Sequence, residues 1–284
     1  MMTPALLSDL TTQLTPLSDT PALDASVLVA HILNKPRTWV MAHPELSLTS
    51  DQQRLLHDSL ARLVGGESFP YVLGHWEFFG LDFEVTPNVL IPRPETELLV
   101  EKAIAWLQAS PACRAVADVG TGSGAIAVSI AVHVPDVHIL ATDISPRALD
   151  VARSNARKFH VEKQIEFIEC DLLPFNTSPP SHRSQVDLIC ANLPYIPTET
   201  LHALPIFGRE PTLALDGGTD GLDLIHRLLT IAPVWLAPNG MLLLEIESSR
   251  GNQALELTHK MFPGASIQLH QDLAGQDRLL QIRV

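Results

Sequence analysis

The chain has 284 residues, of which 46% are hydrophobic, enough apolar material for an ordinary α/β domain and a smaller companion. A formal net charge of -13 excludes a global electrostatic attraction for nucleic acid, although local basic patches stay open. Cys113, Cys170 and Cys190 are few and far apart and the twelve histidines are scattered without ligand spacing, so neither a disulfide framework nor a metal site is expected. No stretch is long and apolar enough to span a membrane. Residues 1–20 lack the basic start and apolar run of a secretory signal, which makes the cytoplasm the default.

Over residues 4–64 apolar residues recur every three or four positions, as in Leu23, Val27 and Ala30, then Leu56, Leu60 and Leu63. That period predicts a small helical domain, with Ser50 as an N-cap. Nothing in it is catalytic; it is either a structural cap on the larger domain or a docking surface. Gly65-Gly66 and Pro70 mark a boundary. Beyond it, Trp76, Phe78, Phe79, Gly80, then Leu81, Phe83 and Val85 alternating with acids predict a β-hairpin. In Pro92-Arg93-Pro94 the prolines hold an extended entry to a helix starting at Glu95. Arg93 either pairs with a helix acid or works near a ligand.

Residues 115–119 form an apolar run feeding Gly120-Thr121-Gly122-Ser123-Gly124 and then a helix-like stretch. The pattern reads as strand, tight turn and helix start, a place where backbone approaches a small ligand. The third glycine comes two residues after the second, where a dinucleotide fingerprint has three. Asp143, at the end of a second apolar run, is placed to accept from ribose hydroxyls, and together these features indicate a nucleoside cofactor. Strand and helix then alternate, which predicts a mainly parallel α/β sheet covered on both faces. Asp171 follows the third strand and either accepts from an exocyclic amine or caps a turn. Residues 174–184, rich in Pro and Ser, are expected to be a surface loop.

The fourth strand ends in Asn192-Leu193-Pro194-Tyr195. A carboxamide oxygen and a nearby backbone carbonyl accept both hydrogens of an –NH₂ group, while an aromatic face packs on the planar group that bears it. The alternative is a turn with a capping Asn and a half-buried Tyr.

With these residues the chain resembles the class I S-adenosylmethionine-dependent methyltransferases, and among them the release factor glutamine methyltransferases. The likeness runs through Tyr71-Val72-Leu73-Gly74, residues 90–97, the glycine loop, Asp143-Ile144-Ser145 and residues 210–222. The family's Asn-Pro-Pro-Tyr is met by Asn192, Pro194 and Tyr195. Leu193 departs from it, and Asn-Leu-Pro-Tyr is similar to the motif of enzymes that methylate adenine N6 in ribosomal RNA, the alternative function.

The resemblance implies a doubly wound, mainly parallel seven-stranded Rossmann-like sheet. It also implies a helical substrate-docking domain over 1–68, a hairpin linker over 69–94 and a cofactor domain over 95–284. The implied reaction methylates the Gly-Gly-Gln glutamine of class I peptide chain release factors, converting S-adenosyl-L-methionine to S-adenosyl-L-homocysteine, with no stable nucleic-acid or membrane partner. Gly120, Thr121, Gly122, Ser123, Gly124, Asp143, Asp171, Leu172 and Asn192 would bind the cofactor. Asn192, Leu193, Pro194 and Tyr195 would bind the substrate, with Asn192 and Tyr195 catalytic.

Overall fold

A computed structural model describes residues 3–174 and 185–284; the loop expected over 174–184 therefore lies, but for Pro174, outside the described residues. The chain divides into two compact units, Met1–Gly74 and His75–Val284.

The first unit holds helices α1 (Thr3–Leu14), α2 (Pro21–Leu33), α3 (Arg37–Ala42), α4 (Ser50–Val64) and α5 (Phe69–Leu73). Leu10, Leu14, Leu28, Val29 and Val40 are its most deeply buried large side chains, and the three- and four-residue spacing follows from the helical repeat. Helix α4 starts one residue earlier than its sequence suggests. Thr49, not Ser50, is the N-cap, because it forms a reciprocal box with Gln52, three residues on. Arg62 pairs with Glu67 and donates to the Tyr71 carbonyl at 2.9 Å, fixing the end of α4 to α5.

In the second unit β1 (His75–Phe78) and β2 (Leu81–Glu84) form the expected hairpin. Phe78 and Phe83 are buried in the core of this unit. Asn155 brackets the end of the hairpin, accepting from the Glu84 N–H at 2.7 Å and donating to its carbonyl at 3.0 Å.

The remaining elements are α6 (Glu97–Ala109), β3 (Ala115–Val119), α7 (Ala125–His133), β4 (His138–Asp143), α8 (Pro146–Lys158), β5 (Ile165–Glu169), β6 (Val186–Ala191), α9 (Thr198–Ala203), α10 (Asp223–Trp235), β7 (Leu236–Glu245), α11 (Gly251–Met261), β8 (Ser266–Gln271) and β9 (Asp277–Arg283). Seven strands form one sheet in the order β5-β4-β3-β6-β7-β9-β8. Strands β3 to β7 pair in parallel, and β9 is antiparallel to both its neighbours. The central strands are apolar on both faces because both are covered. Val116, Leu188 and Leu243 pack with α6 and α7, whereas Ala117, Ile189 and Leu242 pack with α10 and α11. The sheet is thus doubly wound, as expected.

One further boundary differs from the sequence reading: Pro94–Thr96 forms a single 3-10 turn before α6, since Pro94 favours a first turn. Helix α10 carries Pro233 inside its last turn. Strand β7 begins at Leu236, and a shift of pairing between Val186 and Leu188 absorbs the extra residues around Asn239. Among the described residues no helix is long and apolar enough to cross a membrane.

Candidate active site

Register brings the chemistry to one edge of the sheet. Val119 pairs with Thr142 and with Ala191, and Ala191 pairs with Leu244. The next residues, Gly120, Asp143, Asn192 and Glu245, therefore stand in one row at the carboxyl ends of four adjacent parallel strands, where ligands of open α/β sheets bind. A cavity of about 860 Å³ opens there, within the range of roughly 300–1,000 Å³ usual for small-molecule sites. Its wall includes Gly120, Thr121, Gly122, Ser123, Asp143, Asp171, Leu172, Asn192, Leu193 and Pro194.

The glycine loop forms the floor. Gly120, Gly122 and Gly124 have φ of 74°, 56° and 81°, a region that other residues enter at a cost. A Cβ on Gly124 would also stand 3.2 Å from that of Ala152, so the third glycine serves helix packing. The Gly120 and Thr121 N–H groups both donate to the Thr142 carbonyl, at 2.9 and 2.8 Å. Beneath them Asp118 accepts from the Thr121 hydroxyl at 2.6 Å and the Ala127 N–H at 3.1 Å. Asp118 is fully buried, and desolvation raises its pKa to about 7 against the two hydrogen bonds.

Asp143 accepts from Gly122 N–H at 2.9 Å and Ser145 N–H at 2.8 Å, one on each oxygen. Burial raises its pKa. Each carboxylate oxygen keeps a further lone pair, so the group can still accept from a diol. Asp171 is half exposed and accepts from Arg227 at 2.6 Å. Leu172 takes a positive φ of 63°, held there by the Thr142 hydroxyl donating to its carbonyl at 2.6 Å.

On the other side of the row, Asn192 donates through Nδ2 to Thr96 Oγ1 at 2.9 Å, and Oδ1 takes no side-chain partner among the described residues. Leu193 is buried, with its Cδ2 3.1 Å from where a Cβ on Gly120 would lie, so the turn after β6 rests on the glycine loop. Tyr195 is not part of the cavity wall; its hydroxyl donates to buried Glu245 at 3.3 Å, and burial raises its pKa. A strap from residues 210–221 braces this turn. Ile196 N–H donates to the Leu215 carbonyl at 3.1 Å and Gly217 N–H to the Ile196 carbonyl at 2.8 Å, and a Cβ on Gly217 would meet the Tyr195 Cα at 2.7 Å. Arg93 donates to Glu210 at 2.6 Å, and Glu210 also accepts from Ile91 N–H at 3.1 Å. The partner of Arg93 is thus a strap acid, not a helix acid, and the pair borders the cavity.

A carboxamide acceptor beside a cavity with an acid and a glycine floor suits group transfer to an amide or amine. Comparison with known proteins narrows this. The family described as the PrmC N-terminal domain matches residues 5–74, and one described as a methyltransferase domain matches residues 116–205. The release factor glutamine methyltransferase of Moorella thermoacetica is 41% identical over 259 residues, covering 91% of this chain and 89% of that protein. The chain belongs to the release factor glutamine methyltransferase family. A second member, from Coxiella burnetii, is 40% identical and covers 95% of each chain. Among solved structures, a methyltransferase from Pyrococcus furiosus is 17% identical with a TM-score of 0.51, covering 83% of this chain and 98% of that one. A 16S rRNA methyltransferase from T. thermophilus, solved with AdoMet and guanosine, is 16% identical with a TM-score of 0.52, covering 74% and 49%. Both likenesses concern the fold alone.

Sequence reasoning did not single out Thr96, which lines the cavity, or Glu245 and Glu210, which bond to residues beside it. Glu210 lay inside the quoted 210–222 stretch, and Thr96 inside 90–97, so the stretches were visible but the pairings were not. Glu245 had no signal beyond being an acid at the end of an apolar run.

Proposed function

We propose that the protein transfers the methyl group of S-adenosyl-L-methionine to the side-chain amide nitrogen of the glutamine in the Gly-Gly-Gln loop of class I peptide chain release factors. The observation that carries this reading is the orientation of Asn192. With Nδ2 engaged by Thr96, Oδ1 remains as an acceptor beside the cavity, the polarity needed to receive an amide N–H.

The residues of the cavity suit the cofactor. The glycine floor lets backbone come close to its methionine part, Asp143 would bind the ribose, and Asp171 with Leu172 would border the adenine. When bound, S-adenosyl-L-methionine supplies an electrophilic sulfonium methyl and leaves as neutral S-adenosyl-L-homocysteine. The protein's own task is positioning, because an amide nitrogen is a poor nucleophile with its lone pair delocalised. Asn192 Oδ1 and the Leu193 carbonyl would hold the two amide hydrogens and turn the nitrogen to the methyl. Tyr195, whose hydroxyl is tied to Glu245, would pack on the amide plane. No general base is needed at the transition state, since the proton leaves once nitrogen has gained positive character.

The helical unit would dock the release factor, and such a substrate makes the cytoplasm the working compartment. Purified protein with methyl-labelled cofactor, offered a bacterial class I release factor and ribosomal RNA separately, tests the reading. Label on the Gly-Gly-Gln glutamine is expected. Label only on RNA adenine would replace it with the adenine-N6 function suggested by Leu193.

A further inference from the structure

Behind Asn192 lies a polar group to which that mechanism gives no part. Glu245, the last residue of β7, is 1% exposed. Its Oε1 receives the Tyr195 hydroxyl at 3.3 Å, and its buried Oε2 has no partner at full hydrogen-bond geometry among the described residues. Thr96, also buried, stands between Glu245 and Asn192: its Oγ1 accepts from Asn192 Nδ2, and its hydroxyl favours the ionised form of Glu245.

A threonine hydroxyl has one hydrogen and two lone pairs. Beside a carboxylate, which only accepts, the hydrogen turns toward Glu245. A lone pair is then what faces Asn192, and the carboxamide must answer with its –NH₂ group, leaving Oδ1 turned away from Thr96. Were Glu245 protonated, it would donate to Thr96, whose freed hydrogen would favour Asn192 in the flipped state. The flipped amide would present N–H to a substrate N–H, donor against donor. The charge on one buried acid thus selects the face that Asn192 offers.

We propose that Glu245 is a positioning residue that acts through Thr96 to set which way the Asn192 carboxamide faces the substrate amide, an inference that rests on the release-factor reading for the identity of that amide. The groups acting on Glu245 come from three directions. Burial raises its pKa most, and Glu95 adds to this, while Thr96, Arg278 of β9 and the Tyr195 hydroxyl lower it; the balance stands at about 7. Ionisation therefore falls within the pH range over which the protein can be assayed.

The test uses the full-length protein and its Glu245→Gln, Thr96→Val and Thr96→Ser variants. Methyl transfer to release factor is followed from pH 5.5 to 8.5, and S-adenosyl-L-methionine affinity is measured by calorimetry. Wild-type kcat is expected to rise with pH along a limb near neutrality that Glu245→Gln lacks. Glu245→Gln and Thr96→Val should each lose about tenfold or more in kcat, the scale of one misdirected hydrogen bond, and Thr96→Ser should recover most of it. Cofactor affinity should stay within about twofold throughout. A wild-type pH limb retained in Glu245→Gln, or kcat loss matched by equal loss of cofactor affinity, overturns the proposal.

A second measurement is independent of the substrate. Hydrogen exchange at the Asn192 side-chain amide, read by ¹⁵N NMR, should be slow in wild type and faster in Thr96→Val and Glu245→Gln. Equal exchange in all three overturns the relay. Absence of transfer by wild type to release factor would instead overturn the substrate reading, leaving the relay to be decided by exchange.

Discussion

Replacing Gly221 by alanine should damage catalysis from outside the cavity wall. Gly221 has φ of 81°, and a Cβ there would stand 2.3 Å from the Tyr195 carbonyl oxygen and 3.3 Å from Pro197 Cδ. Restoring ordinary contact requires the carbonyl to move by about 1 Å, and a misplacement of that size costs roughly 10²-fold in rate when it reaches the reacting groups. The strap and the turn are joined by backbone bonds, so the displacement passes to Asn192 and Leu193. Gly264 supplies the control: its φ is 94°, yet nothing lies within 4 Å of its added Cβ. Gly264→Ala thus carries left-handed backbone strain without the collision. In a labelled methyl-transfer assay Gly221→Ala is expected to lose about 10²-fold in kcat, with cofactor affinity within about threefold, while Gly264→Ala stays near wild type. A Gly221→Ala enzyme within threefold of Gly264→Ala would refute the idea that the strap holds the turn in register.

Asn192→Ala removes the proposed amide acceptor, and kcat should fall by about 10²–10³-fold with cofactor still bound, by analogy with the loss of one transition-state hydrogen bond; unchanged transfer would remove Asn192 from the chemistry. Arg93→Ala leaves the carboxylate of Glu210, 4% exposed, without its ion partner. Because Arg93 is itself 32% exposed, the cost is discounted to about 2 kcal/mol, a fall of roughly 4–8 °C in Tm. Arg54→Ala, which breaks a largely exposed pair, should barely change Tm, and equal shifts in calorimetry would sink the comparison. Asp118, raised from 3.8 to about 7 by burial, binds its proton more tightly in the folded chain than in the unfolded one. Its contribution is complete below about pH 4 and is lost as pH rises through about 7. Urea denaturation should therefore show wild type losing on the order of 1 kcal/mol per pH unit more than Asp118→Asn between pH 5 and 7; parallel curves would count against it.

The strand–helix alternation and the glycine loop were legible because each is a local pattern: a run of apolar residues, a change of period, a residue that permits positive φ. Asp143 and Asn192 were legible for the same reason, as polar residues ending apolar runs. The bonds that orient them were not. Thr96 meets Asn192 across 96 positions and Arg93 meets Glu210 across 117, and no spacing rule links residues whose neighbourhood is created by strand order. Boundaries slipped where backbone bonding overruled composition, as at Thr49, whose partner Gln52 decided the cap.

The row formed by Gly120, Asp143, Asn192 and Glu245 spans three inter-strand gaps, roughly 14 Å, and it constrains which mutations this lineage can accept. Removing one residue from β3, β6 or β7 would send alternate side chains to the opposite face and withdraw one member from the line, so strand lengths are effectively frozen. The segments beyond the row carry no such constraint at their tips. Residues 204–209, where Leu204 and Phe207 are exposed, lie outside the cavity wall, so a change in chain length at that tip leaves the row in place.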